Sequence, residues 1–247
     1  MTLRAPIIVG RHPAIFLDRD GTLVRDFAHA ADPAAFELLP GVPEALRALA
    51  TAGYRLVVIS NQSGVARGYY SAAEARATAV RVVALLADRG IRLAGYYFCP
   101  HHSRGIVPRF AVPCGCRKPA PGMLARAAAD LGLDLGRSWI IGDTLGDLGA
   151  GLAAGVRPVL VDIGAITLSA DTEPPPVLVD PRTLIARNMA HAAGLILGNP
   201  DPLPLPTLIR PAPPPDDRRP GAPHPLPDAA WFARARADAQ RLAAHGM

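Results

Sequence analysis

Two aspartates one residue apart, Asp18 and Asp20, directly follow the apolar run AIFL in the segment AIFLDRDGT. If AIFL is a strand of a parallel sheet, both carboxylates stand at its carboxyl end, where ligands of open α/β sheets bind. Such a pair can divide labour: one attacks phosphorus or holds a cation while the other carries a proton. Gly21 lets the chain turn, and the Thr22 hydroxyl can hold that turn. Taken alone, Asp-x-Asp-Gly is equally well a polar turn. A calcium loop would need further oxygen ligands that residues 23–27 do not supply.

Other polar residues follow apolar runs in the same way. LVVIS leads into SNQSG, which puts the Ser60 hydroxyl and Asn61 amide at a second strand end, and SWII leads into GDTLGD with Asp143 and Asp147. Asp143 is placed to join Asp18 around a hard cation such as Mg²⁺, which takes carboxylate oxygens, water and phosphate. Asp147 is read first as a support for the loop or a cap for the next helix. Of the 26 Lys and Arg residues only Lys118 is Lys, which marks a position that needs a compact ammonium. Two carboxylate sites, a hydroxyl and a compact cation, ordered along successive strand ends, make a phosphoryl-transfer set.

A separate cluster has metal-ligand spacing. Cys99 and His101 are separated by one residue, and after a gap of 12 residues the pair Cys114 and Cys116 repeats that spacing. Three thiolates and one imidazole make a tetrahedral zinc set, and four protein ligands make it structural rather than catalytic. His102 is the alternative to His101. All three Cys of the chain fall in this region, which suits a metal better than a disulfide framework. Zinc would shape the loop between the pairs and fix the approach of Arg117 and Lys118, which follow Cys116.

The elements that must carry these residues read as βα units around a parallel sheet. Strands are expected at 14–17, 56–59, 96–98, 139–141 and 159–161. Helices are expected at 43–52, 71–89, 121–131 and 147–154. Ser71 and Glu74 form a capping box, and Gly90 and Gly132 are placed to end helices. Between Asp20 and Ser60 there is room only for a loop and a helix, and between Ser60 and Lys118 for little more than a helix, strand and loop. No cap domain is expected, which leaves specificity to local loops.

Residues 174–227 hold 16 of the 27 Pro, so little regular structure is expected there. Within that stretch a helix over 183–195 would close a domain spanning 1–198 that includes a zinc loop at 99–118. A Pro-rich linker over 199–227 and a helix over 228–247 complete the expected organisation. Half the residues are hydrophobic and 19% are charged, which argues against wholesale disorder. The net charge of +5 is scattered, without the aromatic and basic interleaving of a nucleic-acid surface, although a zinc-dependent nucleic-acid module is the alternative of a different class. No run reaches the roughly 18 apolar residues of a membrane span, and the start lacks a signal-peptide core. A cytoplasmic monomer with no nucleic-acid or membrane partner is expected.

The ordered set DRDGT, Ser60, Lys118 and GDTLGD resembles the four motifs of the haloacid dehalogenase superfamily over residues 14–162. That resemblance implies a Rossmann-like α/β fold in which Asp18 attacks phosphorus and Asp20 protonates the leaving oxygen and then activates water. It implies further that Ser60 and Lys118 hold the phosphoryl oxygens. Asp143 would bind Mg²⁺ with Asp18 and the Asp20 backbone carbonyl. FLDRDGTL, SNQSGVARGYY, CPHH, CGCRKPAPGM and IIGDTLGD are similar, more narrowly, to the D-glycero-D-manno-heptose 1,7-bisphosphate 7-phosphatase family, which shares its core and zinc loop with histidinol-phosphate phosphatase. The narrower resemblance implies a phosphorylated sugar substrate bound by Asp26, Ser60, Asn61, Gln62, Ser63, Arg117 and Lys118. It implies hydrolysis of the 7-phosphate to leave heptose 1-phosphate, with histidinol phosphate or another small monoester as the alternative. The chain departs from that pattern at Ala28 and His29, where an aromatic is expected, and at Thr144, where the heptose enzymes usually carry Lys.

Overall fold

A computed structural model describes residues 11–25, 36–161 and 176–198. Six strands form one parallel sheet in the order β3-β2-β1-β4-β5-β6. They are β1 (His12–Leu17), β2 (Arg55–Asn61), β3 (Gly95–Cys99), β4 (Leu133–Gly142), β5 (Arg157–Val161) and β6 (Leu184–Ala186). The flanking helices are α1 (Val42–Thr51), α2 (Gly64–Arg67), α3 (Ala72–Ala87), α4 (Gly122–Leu131), α5 (Leu145–Ala153), α6 (Pro176–Val179) and α7 (Met189–Ile196).

The central strand shows why this sequence makes a sheet covered on both faces. Ala14, Ile15, Phe16 and Leu17 of β1 are all fully buried, as expected of a parallel strand sandwiched between helices. Their side chains alternate. Ile15 and Leu17 enter a core with Leu46 and Leu49 of α1, Val82 and Leu86 of α3 and Met189 of α7. Ala14 and Phe16 enter the opposite core with Met123, Leu124 and Ala127 of α4 and Ala150 of α5. Each large side chain so buried contributes about 1.5–3 kcal/mol.

The expected helices form with small changes at their ends. Ser71 caps α3 through the expected box with Glu74, while Gly90 and Gly132 adopt positive φ just beyond α3 and α4. The expected strand at 139–141 is the end of the longer β4, whose register against β1 shifts between Pro13 and Ile15. Ser138 repairs that irregularity, accepting from Ala14 N at 2.8 Å and donating to the Asp134 carbonyl.

The expected helix over 183–195 is a correction. Leu184–Ala186 instead pairs with β5 as β6, and only Met189–Ile196 is helical, capped by Asn188 Oδ1 accepting from His191 N at 2.9 Å. The free backbone groups on the outer edge of β5 reward strand pairing, which outweighs the helical preference of so short an Ala- and Leu-containing segment. The expected linker at 199–227 and helix at 228–247 lie outside the described residues. Between Ser60 and Lys118 the chain forms only α2, α3, β3 and the Cys-rich loop, so no cap domain is inserted there. Among the described residues no helix is long and apolar enough to cross a membrane.

Candidate active site and metal centre

The site lies where β1 has β2 on one side and β4 on the other, with α2 and α3 following β2 and α5 following β4. This is the crevice at the carboxyl edge of an open α/β sheet. The ladder continues past β1, with Asp18 N donating to the Ile141 carbonyl at 3.0 Å, so the Asp18 backbone is fixed to β4. A one-turn loop then closes as Leu23 N and Val24 N donate to the Arg19 carbonyl at 2.9 and 3.1 Å.

Lys118 occupies the floor of the crevice. Its Nζ lies 2.7 Å from Asp18 Oδ1 and 2.5 Å from Asp147 Oδ1, and donates to the Ile59 carbonyl at 3.0 Å. Two hydrogen bonds, to Asp147 and to the Ile59 carbonyl, hold the ammonium, and Asp18 pairs with its charge. The loop carrying Lys118 is clamped by Asn61, whose Oδ1 accepts from Lys118 N and whose Nδ2 donates to the Lys118 carbonyl, both at 3.0 Å. Burial disfavours the ammonium, yet Asp147 and Asp18 outweigh it and raise the Lys118 pKa.

Asp18, Asp143 and Asp147 are buried with carboxylate oxygens within 4.8 Å of one another. Against one Lys118 these three carboxylates leave a formal charge of −2. Asp18 is pushed up to about 7, chiefly by burial against the opposing pull of Lys118, with Asp147 and Asp20 adding to the rise. Burial, then Asp18 and Asp147, push Asp143 up to about 8. A divalent cation beside Asp18 and Asp143 would remove that cost. Asp147 is committed elsewhere, because its Oδ2 accepts from Thr144 N at 3.1 Å and from Thr144 Oγ1 at 2.5 Å while its Oδ1 meets Lys118. Thr144, the departure from the heptose-enzyme pattern, therefore serves as the N-cap of α5. Gly142 makes this approach possible, since a Cβ there would come within 2.2 Å of Asp147 Cγ. Thr22 Oγ1 donates to Asp143 Oδ1 at 3.3 Å rather than to its own turn.

Asp20 turns to a different set of partners. Arg19 donates to it through Nε to Oδ1 at 2.9 Å and through Nη2 to Oδ2 at 2.7 Å, and Gln62 Nε2 adds a bond to Oδ2 at 3.1 Å. Gln62 is buried and fully used. Its Nε2 also donates to Ser60 Oγ at 2.7 Å, and its Oε1 accepts from Arg19 and from Tyr70 OH. Asn61 and Gln62, expected to contact substrate, thus brace Lys118, Ser60 and Asp20 in this structure. Ser63 stands at the N-cap of α2 but makes no side-chain capping bond. Asp26, Ala28 and His29 lie outside the described residues.

The Cys and His loop closes as its spacing suggests. Cys116 Sγ lies 3.2 Å from Cys99 Sγ and 3.4 Å from both Cys114 Sγ and His101 Nδ1. These are too far for disulfides, whose sulfurs lie about 2.05 Å apart, and near the roughly 3.7 Å edge of a tetrahedron with 2.3 Å Zn–S bonds. His102 is engaged otherwise, its Nδ1 accepting from Arg104 N and its Nε2 3.3 Å from Arg67 Nη2. Hydrogen bonding between the two thiols holds Cys116 down to about 5, despite burial, and pushes Cys99 up. The loop is seated on α4 where Gly122 N donates to the Gly115 carbonyl at 2.9 Å. Arg117 Nη1 reaches the His101 carbonyl at 3.5 Å.

Known proteins resemble this chain over the region that carries these residues. Residues 14–153 match the family model described as polynucleotide kinase 3 phosphatase, and residues 115–192 match a HAD-hydrolase-like model. The D-glycero-beta-D-manno-heptose-1,7-bisphosphate 7-phosphatase of Salmonella typhi is 46% identical over 153 residues, 62% of this chain and 81% of the relative. The protein of the same name from Escherichia coli K12 is 45% identical, covering 62% and 80%. The chain belongs to the heptose-1,7-bisphosphate 7-phosphatase family. The D,D-heptose 1,7-bisphosphate phosphatase of B. bronchiseptica, solved with magnesium and phosphate, aligns with a TM-score of 0.59 at 30% identity over 75% of this chain and 98% of that one. A HAD-like phosphatase structure from Mesorhizobium loti gives 0.65 at 36% identity, covering 85% and 90%. As a member of this phosphatase family, the chain is a phosphoric monoester hydrolase of the haloacid dehalogenase type, with the fold expected from its motifs.

Proposed function

We propose that the chain removes the 7-phosphate of D-glycero-D-manno-heptose 1,7-bisphosphate through an aspartyl-phosphate on Asp18. One observation carries the reading: the buried Lys118 ammonium is held against Asp18 at a strand end, and Asp143 lies in the same group of carboxylates. A phosphoryl group entering there meets a nucleophile and a fixed cation together. Attack on a dianion needs such charge neutralisation already in place.

In the first step an Asp18 oxygen attacks phosphorus in line with the ester oxygen, and Asp20 delivers a proton to that oxygen as the bond breaks. In the second step Asp20 takes a proton from water as it attacks the acyl phosphate, releasing phosphate and free Asp18. Ser60 and Lys118 hold the phosphoryl oxygens throughout. Asp18, Asp143 and the Asp20 carbonyl would hold Mg²⁺, which supplies Lewis-acid neutralisation of the transferring group when bound. Cys99, His101, Cys114 and Cys116 would hold a structural Zn²⁺.

Family membership supports the sugar bisphosphate, and the surroundings of the Cys and His loop fit a second anion. Burial, then Arg117, Arg67 and Arg104, lower the His102 pKa, which marks a cationic corner near the loop. A planar guanidinium can bind a phosphate with two hydrogen bonds. Arg117, tied to the loop and next to Lys118, is the candidate for the 1-phosphate. Histidinol phosphate would bring a cationic amine to that corner, which disfavours it. The test is kcat/KM for the two substrates in wild type and Arg117→Ala. The expected result is a wild-type preference for the bisphosphate that shrinks in the variant. A preference for histidinol phosphate would overturn the substrate, and equal losses on both would overturn the role of Arg117.

A further inference from the structure

Arg19 stands between the two aspartates and is 5% exposed, an unusual burial for a guanidinium. Every part of it is engaged. Nε and Nη2 fork onto Asp20, Nη2 also reaches Gln62 Oε1 at 3.1 Å, and Nη1 donates to Thr78 Oγ1 of α3 at 3.0 Å. Its Cζ lies 5.2 Å from the centroid of Phe36. Thr78 is itself fixed, its Oγ1 donating to the Ala75 carbonyl at 2.9 Å. The guanidinium is thus anchored to α3 on its far side and presents a rigid fork to Asp20.

The two oxygens of Asp20 are treated unequally. Oδ2 accepts two bonds, from Arg19 Nη2 and Gln62 Nε2, which fill both its lone pairs. Oδ1 accepts one, from Arg19 Nε, and keeps one lone pair open among the described residues. A proton on Oδ1 therefore leaves both arms of the fork formed, whereas a proton on Oδ2 must displace Arg19 or Gln62.

We propose that Arg19 is a positioning residue that confines the acid and base work of Asp20 to its Oδ1 atom. The inference rests on Asp20 being the acid and base of the reaction proposed above. In the first step the Oδ1 proton passes to the leaving oxygen as its bond to phosphorus breaks and Asp18 bonds to phosphorus. In the second step Oδ1 regains a proton from water, whose oxygen bonds to phosphorus as the bond from phosphorus to the Asp18 oxygen breaks and the Asp18 carboxylate leaves. Both transfers use one atom held by one fork. The network anchored on Thr78 therefore sets the rate of proton delivery without touching substrate.

The dependence on leaving group separates this role from a structural one. A sugar alkoxide must be protonated to leave, whereas 4-nitrophenolate leaves without a proton. Single-turnover rates on heptose 1,7-bisphosphate and the burst of 4-nitrophenolate from 4-nitrophenyl phosphate are measured in wild type, Arg19→Lys, Thr78→Val and Asp20→Asn, each in Mg²⁺. Arg19→Lys keeps the charge and removes the fork. It should lose about 100-fold on the sugar phosphate, the scale of general acid catalysis, and at least tenfold less on the burst. Thr78→Val, which removes only the far anchor, should show the same selectivity at about one-tenth of the size and carries the test if Arg19→Lys fails to fold. Equal losses on both substrates, or none on either, would overturn the role of Arg19. If Asp20→Asn itself shows no selectivity, the assignment of Asp20 as the acid fails instead.

Discussion

Replacing Asp147 with Ala tests whether the Lys118 position is built by a buried charge rather than by the backbone alone. Asp147 is fully buried, meets Lys118 Nζ at 2.5 Å and forms the reciprocal cap with Thr144. Breaking a buried ion pair from one side costs about 3–5 kcal/mol. Lys118 keeps Asp18 and the Ile59 carbonyl, so the lower end, about 3 kcal/mol, is the reasonable figure. Loss of the α5 cap adds about 1 kcal/mol. Removing one of three crowded carboxylates offsets part of this, leaving about 3 kcal/mol in all. Urea and thermal unfolding of Asp147→Ala, with Thr144→Ala alongside to measure the cap alone, are the assays. At about 2–4 °C per kcal/mol the expected fall in Tm is about 6–12 °C. If Asp147→Ala is no more destabilising than Thr144→Ala, within about 0.5 kcal/mol, the buried pair does not hold Lys118 and the reasoning fails.

Three further outcomes are expected. Metal analysis should find one zinc per chain in the wild type and less in Cys116→Ser, with the loop more open to proteolysis after chelation; a metal-free wild type whose loop resists proteolysis would contradict the zinc site. The thermal stabilisation by Mg²⁺ should be larger at pH 8.5 than at pH 6. The folded-state pKa values of Asp18 and Asp143, about 7 and about 8, lie above the ordinary carboxylate value, so the metal-free fold loses stability as pH rises through them while protons cease to compete with the cation; an equal shift at both pH values would count against these ligands. A chain ending at Gly198 should keep its turnover, because every motif residue precedes Val161, and a folded but inactive truncation would show that later residues complete the site.

The residues that could do chemistry were legible because each follows a short apolar run. Asp18, Ser60 and Asp143 sit where β1, β2 and β4 end, and the single Lys sits where a buried ammonium is needed. The Cys and His spacings were legible for the same reason, since ligands one residue apart need only a local turn. What stayed hidden depends on distant partners. Nothing in the sequence marks Arg19, because its anchor is Thr78, 59 residues later. The sequence offers the Asn61 amide to phosphate, but cannot show that it clamps a loop 57 residues away. The three-residue β6 has too little pattern to announce itself, and only the open edge of β5 explains it. Asp147 was read as a loop support or helix cap, and the structure adds the pair with Lys118 that sequence spacing cannot show.

The central claim is covalent catalysis by Asp18, and acid quenching tests it most directly. The enzyme is mixed with heptose 1,7-bisphosphate and Mg²⁺, stopped in acid within the first turnover, digested and examined by mass spectrometry. One phosphoryl group is expected on the peptide containing Asp18, absent from folded Asp18→Asn, with heptose 1-phosphate as the released product. Rapid turnover by folded Asp18→Asn, or a phosphoryl group trapped on another residue, would contradict the account.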